Sequence, residues 1–266
     1  MLAASLAVGV VVGVLSGLLG IGGGTLLVPV FKLGYALSPI MSTATSLVTI
    51  IPTSISGAVG HIRRKTCIPS LGVAAGIGGA LMSPVGVWLA TVSPDWMIMA
   101  GAALCIAYSA ITMFTKAVKA PKGAAAAKAD EAADEVPPAP RMTRVQLAQG
   151  LGIGLLAGVA SGYVGLGGGF IMVPLMVQLF HIPMKLTSGT SLIAVALLAV
   201  PAAITQALYG NVMWMAAVAV AVGSIPGALL GARLIPRMPE RTLRFVFSGF
   251  LLVAAVLLVL NQTGVL

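Results

Sequence analysis

The 266 residues are 59% hydrophobic and only 8% charged, with a mean hydropathy of +1.08. Soluble domains carry roughly 25% charged residues, so a water-soluble globule is excluded. Apolar runs of twenty residues or more also exclude a transmembrane barrel, whose strands alternate over about ten residues. Fifteen Lys and Arg against six Asp and Glu give +9, but most of the basic residues lie between apolar runs, where they orient a chain in a bilayer rather than bind nucleic acid.

In chain order, MLAASLAVGV has no basic residue ahead of its apolar run and reads as the first membrane helix rather than a cleaved signal peptide. Apolar runs cover residues 2–33, 39–59, 68–90, 96–115, 145–180, 186–209, 212–235 and 243–260. Six of these fit a single crossing of a hydrocarbon core about 30 Å thick. Runs 2–33 and 145–180 are too long, and each is interrupted by a glycine cluster. Residues 1–116 therefore read as a first membrane repeat and 144–266 as a second. Residues 117–143, rich in Ala, Pro and mixed charge, form a flexible cytoplasmic linker in this reading.

The two long runs are copies. Residues 9–29, GVVVGVLSGLLGIGGGTLLVP, align on residues 154–174, GLLAGVASGYVGLGGGFIMVP, at a shift of 145, with 11 of 21 positions identical. The same shift carries Thr45, Ser46 and Leu47 onto Thr190, Ser191 and Leu192. Internal duplication is the architecture of many secondary transporters. Loop charge then orients the halves. The basic loops are 61–65 (HIRRK), the linker and 233–244 (RLIPRMPERTLR), while the turns around Asp95 and Asn211 carry no Lys or Arg. If each long run crossed once, the arginines of 233–244 would lie opposite the linker, against the positive-inside rule. If each folds back, all three basic loops are cytoplasmic, both termini lie outside the inner membrane, and the halves are inverted. Lengths agree: residues 3–19 span about 25 Å and residues 23–33 about 16 Å, too short to cross. The predicted fold is an all-α integral membrane protein of two inverted repeats, each a glycine-tipped re-entrant or broken helical hairpin plus three transmembrane helices.

Irregular backbone in lipid persists only when buried in protein or lining a wet cavity, so GIGGGT (20–25) and GLGGGF (165–170) face a partner near the midplane. Consecutive glycines adopt positive φ without a Cβ clash. Their N–H groups then converge into a nest, to which the following helix adds the positive end of its dipole. Such tips attract anions. The candidate substrate-binding residues are Gly20, Gly22, Gly23, Gly24 and Thr25 with Gly165, Gly167, Gly168 and Gly169. The hydroxyls of Thr45, Ser46, Thr190 and Ser191, a few residues into the next helix, join them. The competing reading, a tight turn that permits close packing, is outweighed by duplication at matching places. Packing is the better reading for the GxxxGxxxG faces Gly9, Gly13, Gly17 and Gly154, Gly158, Gly162. Ser16, Ser161, Gln206 and Asn211 read as helix–helix glue ahead of pocket lining. Lys32, Lys185, Arg63, Arg64 and Arg233 either steer anions or only fix topology.

No cofactor, metal or catalytic machinery is expected. Cys67 and Cys105 stand apart, with no CxxC and no nearby His. His61 and His181 sit near loops and read as interfacial residues. Met97, Met99, Met213 and Met215 are core filler rather than copper ligands. Gly152, Gly154 and Ala157 match a loose dinucleotide motif, but within an apolar helix and with no preceding strand. Asp95 and Glu240 fall at loop edges, so no intramembrane acid is in view for proton coupling; facilitated export, or a proton carried with the anion, follows.

In these twin motifs, GIGGGTLLVP and GLGGGFIMVP, with a downstream ATSL or GTSL, eight or so apolar runs and a central polar linker, the chain resembles the TauE/SafE sulfite and organosulfonate exporters, also called the 4-toluenesulfonate uptake permease family. The resemblance spans nearly the whole chain. It implies transport of a small sulfur-containing anion such as sulfite, a sulfonate, sulfoacetate or thiosulfate, and it points to the same glycines and to Thr45, Ser46, Thr190 and Ser191. The expected partners are that anion and the lipid bilayer, with no nucleic acid. Oligomeric state is left open, a homodimer among the options. A passive anion channel is the alternative function, and a metal-ion permease a weaker one.

Overall fold

The structure, a computed structural model, describes residues 2–119 and 142–262. Of the linker expected at 117–143, residues 120–141 lie outside the described residues. Among the described residues ten α-helices follow one another: α1 Leu2–Leu19, α2 Gly24–Pro29, α3 Pro39–Arg63, α4 Pro69–Val92, α5 Asp95–Lys119, α6 Arg144–Val164, α7 Gly169–Leu179, α8 Met184–Leu208, α9 Trp214–Leu234 and α10 Glu240–Gln262. Among the described residues there is no strand.

Local chemistry sets the helix starts. Ser38 accepts a hydrogen bond from the Met41 N–H ahead of Pro39, whose fixed φ and missing donor suit a first helical position. Thr143 and Gln146 close a capping box at α6. Pro29 ends α2, and the chain continues as a single π-helical segment, Val30–Gly34; a proline that lacks its donor and crowds the preceding turn is a common cause of such widening. Among the described residues six helices are long and apolar enough to cross a membrane: α3, α4, the stretch Asp95–Thr115, α6, α8 and Trp214–Arg237. Large apolar side chains such as Leu81, Trp88, Leu104, Ile111, Leu156, Leu208 and Met215 stand exposed on the outer surface, as lipid-facing residues do. The protein is a multi-pass helical membrane protein.

Helix pairing follows the small-residue faces. Gly9, Gly13 and Gly17 of α1 lie so close to α9 that a Cβ on each would stand 2.3 Å from the carbonyl oxygens of Val220, Ser224 and Ala228 in turn. Gly154, Gly158 and Gly162 of α6 meet the carbonyls of Ala75, Gly79 and Ser83 of α4 in the same way. Contacts that advance together mean that α1 runs with α9, and α6 with α4. Here the two GxxxGxxxG faces do the packing read from sequence. α3 also runs with α9, since Thr49, Thr53 and Ser56 reach Ala217, Ser224 and Ile225. α4 runs with α8, Gly72, Gly76 and Gly79 meeting Thr190, Leu197 and Leu198. By contrast α3 and α8 pass in opposite senses: Gly57 meets Leu192, Ile50 and Val195 flank the same glycine, and Leu47 packs with Ala202 and Ala203.

Candidate functional site

Between α1 and α2 the chain turns at Gly20, Gly22 and Gly23, with φ of 73°, 80° and 85°. Between α6 and α7 it turns at Gly165, Gly167 and Gly168, with φ of 72°, 83° and 72°. These are the same three positions in each copy, and all lie in the left-handed region that side chains disfavour. Residues 20–25 and 165–170 are buried.

The N–H groups of these turns have little to bond. Gly20 N and Gly165 N close the preceding helices onto Ser16 O and Ser161 O. Leu26 and Leu27 bond back to Gly23 O, and Ile171 and Met172 to Gly168 O. Among the described residues, the N–H groups of 21–25 and of 166–170 enter no such backbone bond. Each turn thus presents five consecutive donors at the start of a helix, where the backbone carries positive partial charge.

The two turns touch. A Cβ on Gly24 would lie 2.5 Å from the Leu166 carbonyl carbon and oxygen, and one on Gly169 would lie 2.4 Å from Gly20 O. Each is braced by the other half. Ser46 Oγ donates to Gly165 O at 2.9 Å, and Ser191 Oγ donates to Gly20 O at 2.7 Å. Ile50 and Val195 close around Gly22 and Gly167.

The structure therefore brings together Gly20, Gly22, Gly23, Gly24, Gly165, Gly167, Gly168, Gly169, Ser46 and Ser191. Thr25 is buried with its hydroxyl unpartnered; its counterpart is Phe170. Thr45 and Thr190 serve chain segments instead, with Thr45 Oγ1 accepting from Met213 N and Thr190 Oγ1 from Ile68 N. Among the described residues three further buried hydroxyls lack a partner. Ser16 and Ser161 lie beside Gly23 and Gly168, and Ser54 lies beside Gly22. Ser16 and Ser161 stand at matching positions of the repeat; Ser54 faces Ala199 across it, so the duplication carries no trace of it.

Two polar side chains lie deeper in the protein than the sequence suggests. His61, in the last turn of α3, is fully buried inside the protein, with Nε2 2.8 Å from Gly17 O and Nδ1 2.7 Å from Thr66 Oγ1. Gly189 of α8 makes room for its ring, a Cβ there standing 2.7 Å from His61 Cγ. Lys185 is only 3% exposed, its Nζ turned to Pro236 O at 3.4 Å, and so does not project into an aqueous vestibule. His181 is exposed, as read. In the loop after α3, burial holds the Cys67 thiol up at about 11.

Comparison with known proteins agrees with the architecture. The family described as Sulfite exporter TauE/SafE matches residues 5–258. Two proteins of Bacillus subtilis strain 168, named probable membrane transporter proteins YunE and YjnA, are similar to the chain. The first is 28% identical, covering 88% of this chain and 89% of its own; the second is 27% identical, covering 94% and 97%. A probable membrane transporter protein of Xylella fastidiosa strain Temecula1 is 32% identical over 39% of the chain and 41% of its own length. No solved structure matches the chain significantly.

Proposed function

Because the chain belongs to the TauE/SafE family and is a membrane transporter, we propose that it exports small sulfur-containing oxyanions, sulfite or organosulfonates, across the inner membrane. The anion is held by main-chain N–H groups of the two glycine turns and exposed alternately to each side. The observation that carries this reading is the pair of five-residue N–H runs, buried and without backbone acceptors, that meet from opposite halves. Unsatisfied buried donors cost about 1–3 kcal/mol each, and an oxyanion satisfies several at once with charge-assisted bonds. Ser46 and Ser191 position the turns in this reading, and the hydroxyls of Ser16, Thr25, Ser54 and Ser161 are spare donors beside them.

Inversion of the two halves has support in helix direction. The equivalent helices α3 and α8 pass in opposite senses, whereas α1 and α3 both run with α9, which requires the segment from Gly24 to Gly34 between them to return. In this reading each glycine turn is the tip of a hairpin, with basic loops 61–65 and 233–244 on one side and the start of α1 and the end of α10 on the other. Backbone contact between the tips favours a carrier over an open channel, because a conducting pore must pass between them.

Counterflow in proteoliposomes tests the proposal. Internal unlabelled sulfite is expected to drive saturable uptake of labelled sulfite, and ethanesulfonate and thiosulfate to compete, with acetate inert. Linear, non-saturating flux would point to a channel, and no flux of any sulfur oxyanion would refute the reading.

A further inference from the structure

The shift of 145 residues that relates the halves also pairs His61 with Gln206, Thr66 with Asn211 and Gly17 with Gly162; the structure repeats the His61–Thr66 contacts as Gln206–Asn211 but not the bond to Gly17 O, since among the described residues Gln206 Nε2 has no partner. Thr66 N donates to His61 O at 3.0 Å and Asn211 N to Gln206 O at 3.2 Å. His61 Nδ1 meets Thr66 Oγ1 at 2.7 Å, where Asn211 Nδ2 donates to Gln206 Oε1 at 2.8 Å. Both side chains are fully buried. One half thus carries a titratable ring where the other carries an amide that never titrates, and a buried ionisable group in a membrane protein commonly marks a proton or ion path.

The hydrogen bonds around His61 suit both of its charge states. Gly17 O only accepts, so Nε2 carries a hydrogen, and the Nδ1 lone pair of the neutral ring accepts from Thr66 Oγ1. When Nδ1 takes a proton it becomes the donor, and the Thr66 hydroxyl turns to His61 O, 3.3 Å away. No bond is lost, and the ring gains one positive charge. That charge caps a carbonyl in the last turn of α1, the negative end of the helix dipole, one turn before Gly20 and about 4.5 Å from it along the axis. The same turn of α8 touches both places: Gly189 packs on the His61 ring, and Ser188 and Ser191 pack on Gly20. The other ionisable groups on elements around His61 are Arg63, Arg64, Lys65 and Cys67 beside it in the chain, Lys185 on α8 and Arg233 on α9; α1 and α4 carry none.

We infer that His61 is the proton site of this transporter, taking up one proton at Nδ1 as an anion enters the glycine turns and releasing it as the anion leaves. The inference rests on the proposed anion site. Binding of charge at the tip and of a proton one turn away are linked reciprocally, so anion affinity must depend on pH even for an anion that carries no proton itself.

Calorimetric titration of the purified protein with ethanesulfonate, sulfite and thiosulfate, from about pH 4 to 8, tests this, together with imidazole NMR of a chain that has only two histidines. Ethanesulfonate affinity is expected to tighten about tenfold per pH unit as pH falls through the window of proton uptake, and the bound anion to drive the His61 signal to its protonated position. In His61→Gln, the residue the second half already holds in this setting, binding is expected to persist with no pH slope. A wild-type slope equal to that of the variant, or a His61 signal unmoved by bound anion, overturns proton coupling and leaves the anion site standing. Failure of wild type to bind any of the three anions overturns both. If His61→Gln does not fold, the wild-type NMR titration decides alone.

Discussion

Gly24→Ala separates the proposed anion site from ordinary packing. Gly24 is the first residue of α2 and has no positive φ, so alanine is acceptable to its own backbone, and helix propensity favours it by up to about 1 kcal/mol. Its new methyl group nevertheless stands 2.5 Å from the Leu166 carbonyl carbon and oxygen, where ordinary contact begins at 3.4 Å. The two turns must part by about 0.9 Å, since the obstacle is main chain and not a side chain that can swing away. Charge-assisted N–H to oxyanion bonds measure about 2.7–2.9 Å, and one lengthened to about 3.7 Å is no longer a bond. An anion spanning both turns then keeps one set of donors and loses the other. Two lost bonds at about 1.5–3 kcal/mol each weaken binding at least 100-fold, while overpacking costs folding only about 1–3 kcal/mol. The assay is anion affinity by calorimetry beside thermal unfolding in detergent, with Gly152→Ala as control because nothing lies within 4 Å of a Cβ there. A folded Gly24→Ala variant that binds sulfite within about threefold of wild type would refute the two-turn site.

Further outcomes follow from the same contacts. Ser46→Ala and Ser191→Ala each strand a buried carbonyl, Gly165 O or Gly20 O, and are each expected to cost about 1–3 kcal/mol in unfolding by denaturant or heat. Gly158→Leu places a side chain where a single Cβ already lies 2.4 Å from Gly79 O; size-exclusion chromatography should show loss of the monodisperse protein, and a normal profile would mean that α4 and α6 do not pack backbone to backbone. Cys67, held up at about 11 from 9.0, should alkylate slowly at pH 8 and about tenfold faster per pH unit above it. Because its folded value exceeds the unfolded one, the associated stability is present below pH 9 and lost towards pH 11, which unfolding measured across that range checks.

The glycine turns were legible in the sequence because duplication doubled a weak signal: a single GIGGGT is only a flexible stretch, but a second at the same offset with the same following proline marks a shared geometry. The packing faces were legible for the same reason, through their four-residue spacing. His61 was not. Its neighbours Arg63, Arg64 and Lys65 make the local stretch look like a solvated loop, and the cause of its burial is the missing Cβ of Gly189 in the other half of the chain. For Lys185 the sequence left anion steering and topology both open, and its burial follows from contacts distant in sequence, its ammonium meeting the Pro236 carbonyl. Thr45 and Thr190 were correctly noticed as a repeated pair, yet the bonds they form in this structure secure Met213 and Ile68, contacts that only tertiary pairing creates.

The crossed serine bonds have a consequence for assembly. Gly20 is fastened by a helix made much later, and Gly165 by one made earlier, while the main partner of α1 is α9 and that of α6 is α4. During synthesis the leading portion therefore waits in the bilayer with its bend unfastened until the trailing portion arrives. Cut between residues 119 and 142 and made as separate pieces, the two portions should be inert alone and recover activity when co-expressed, each acting as the scaffold on which the other is finished.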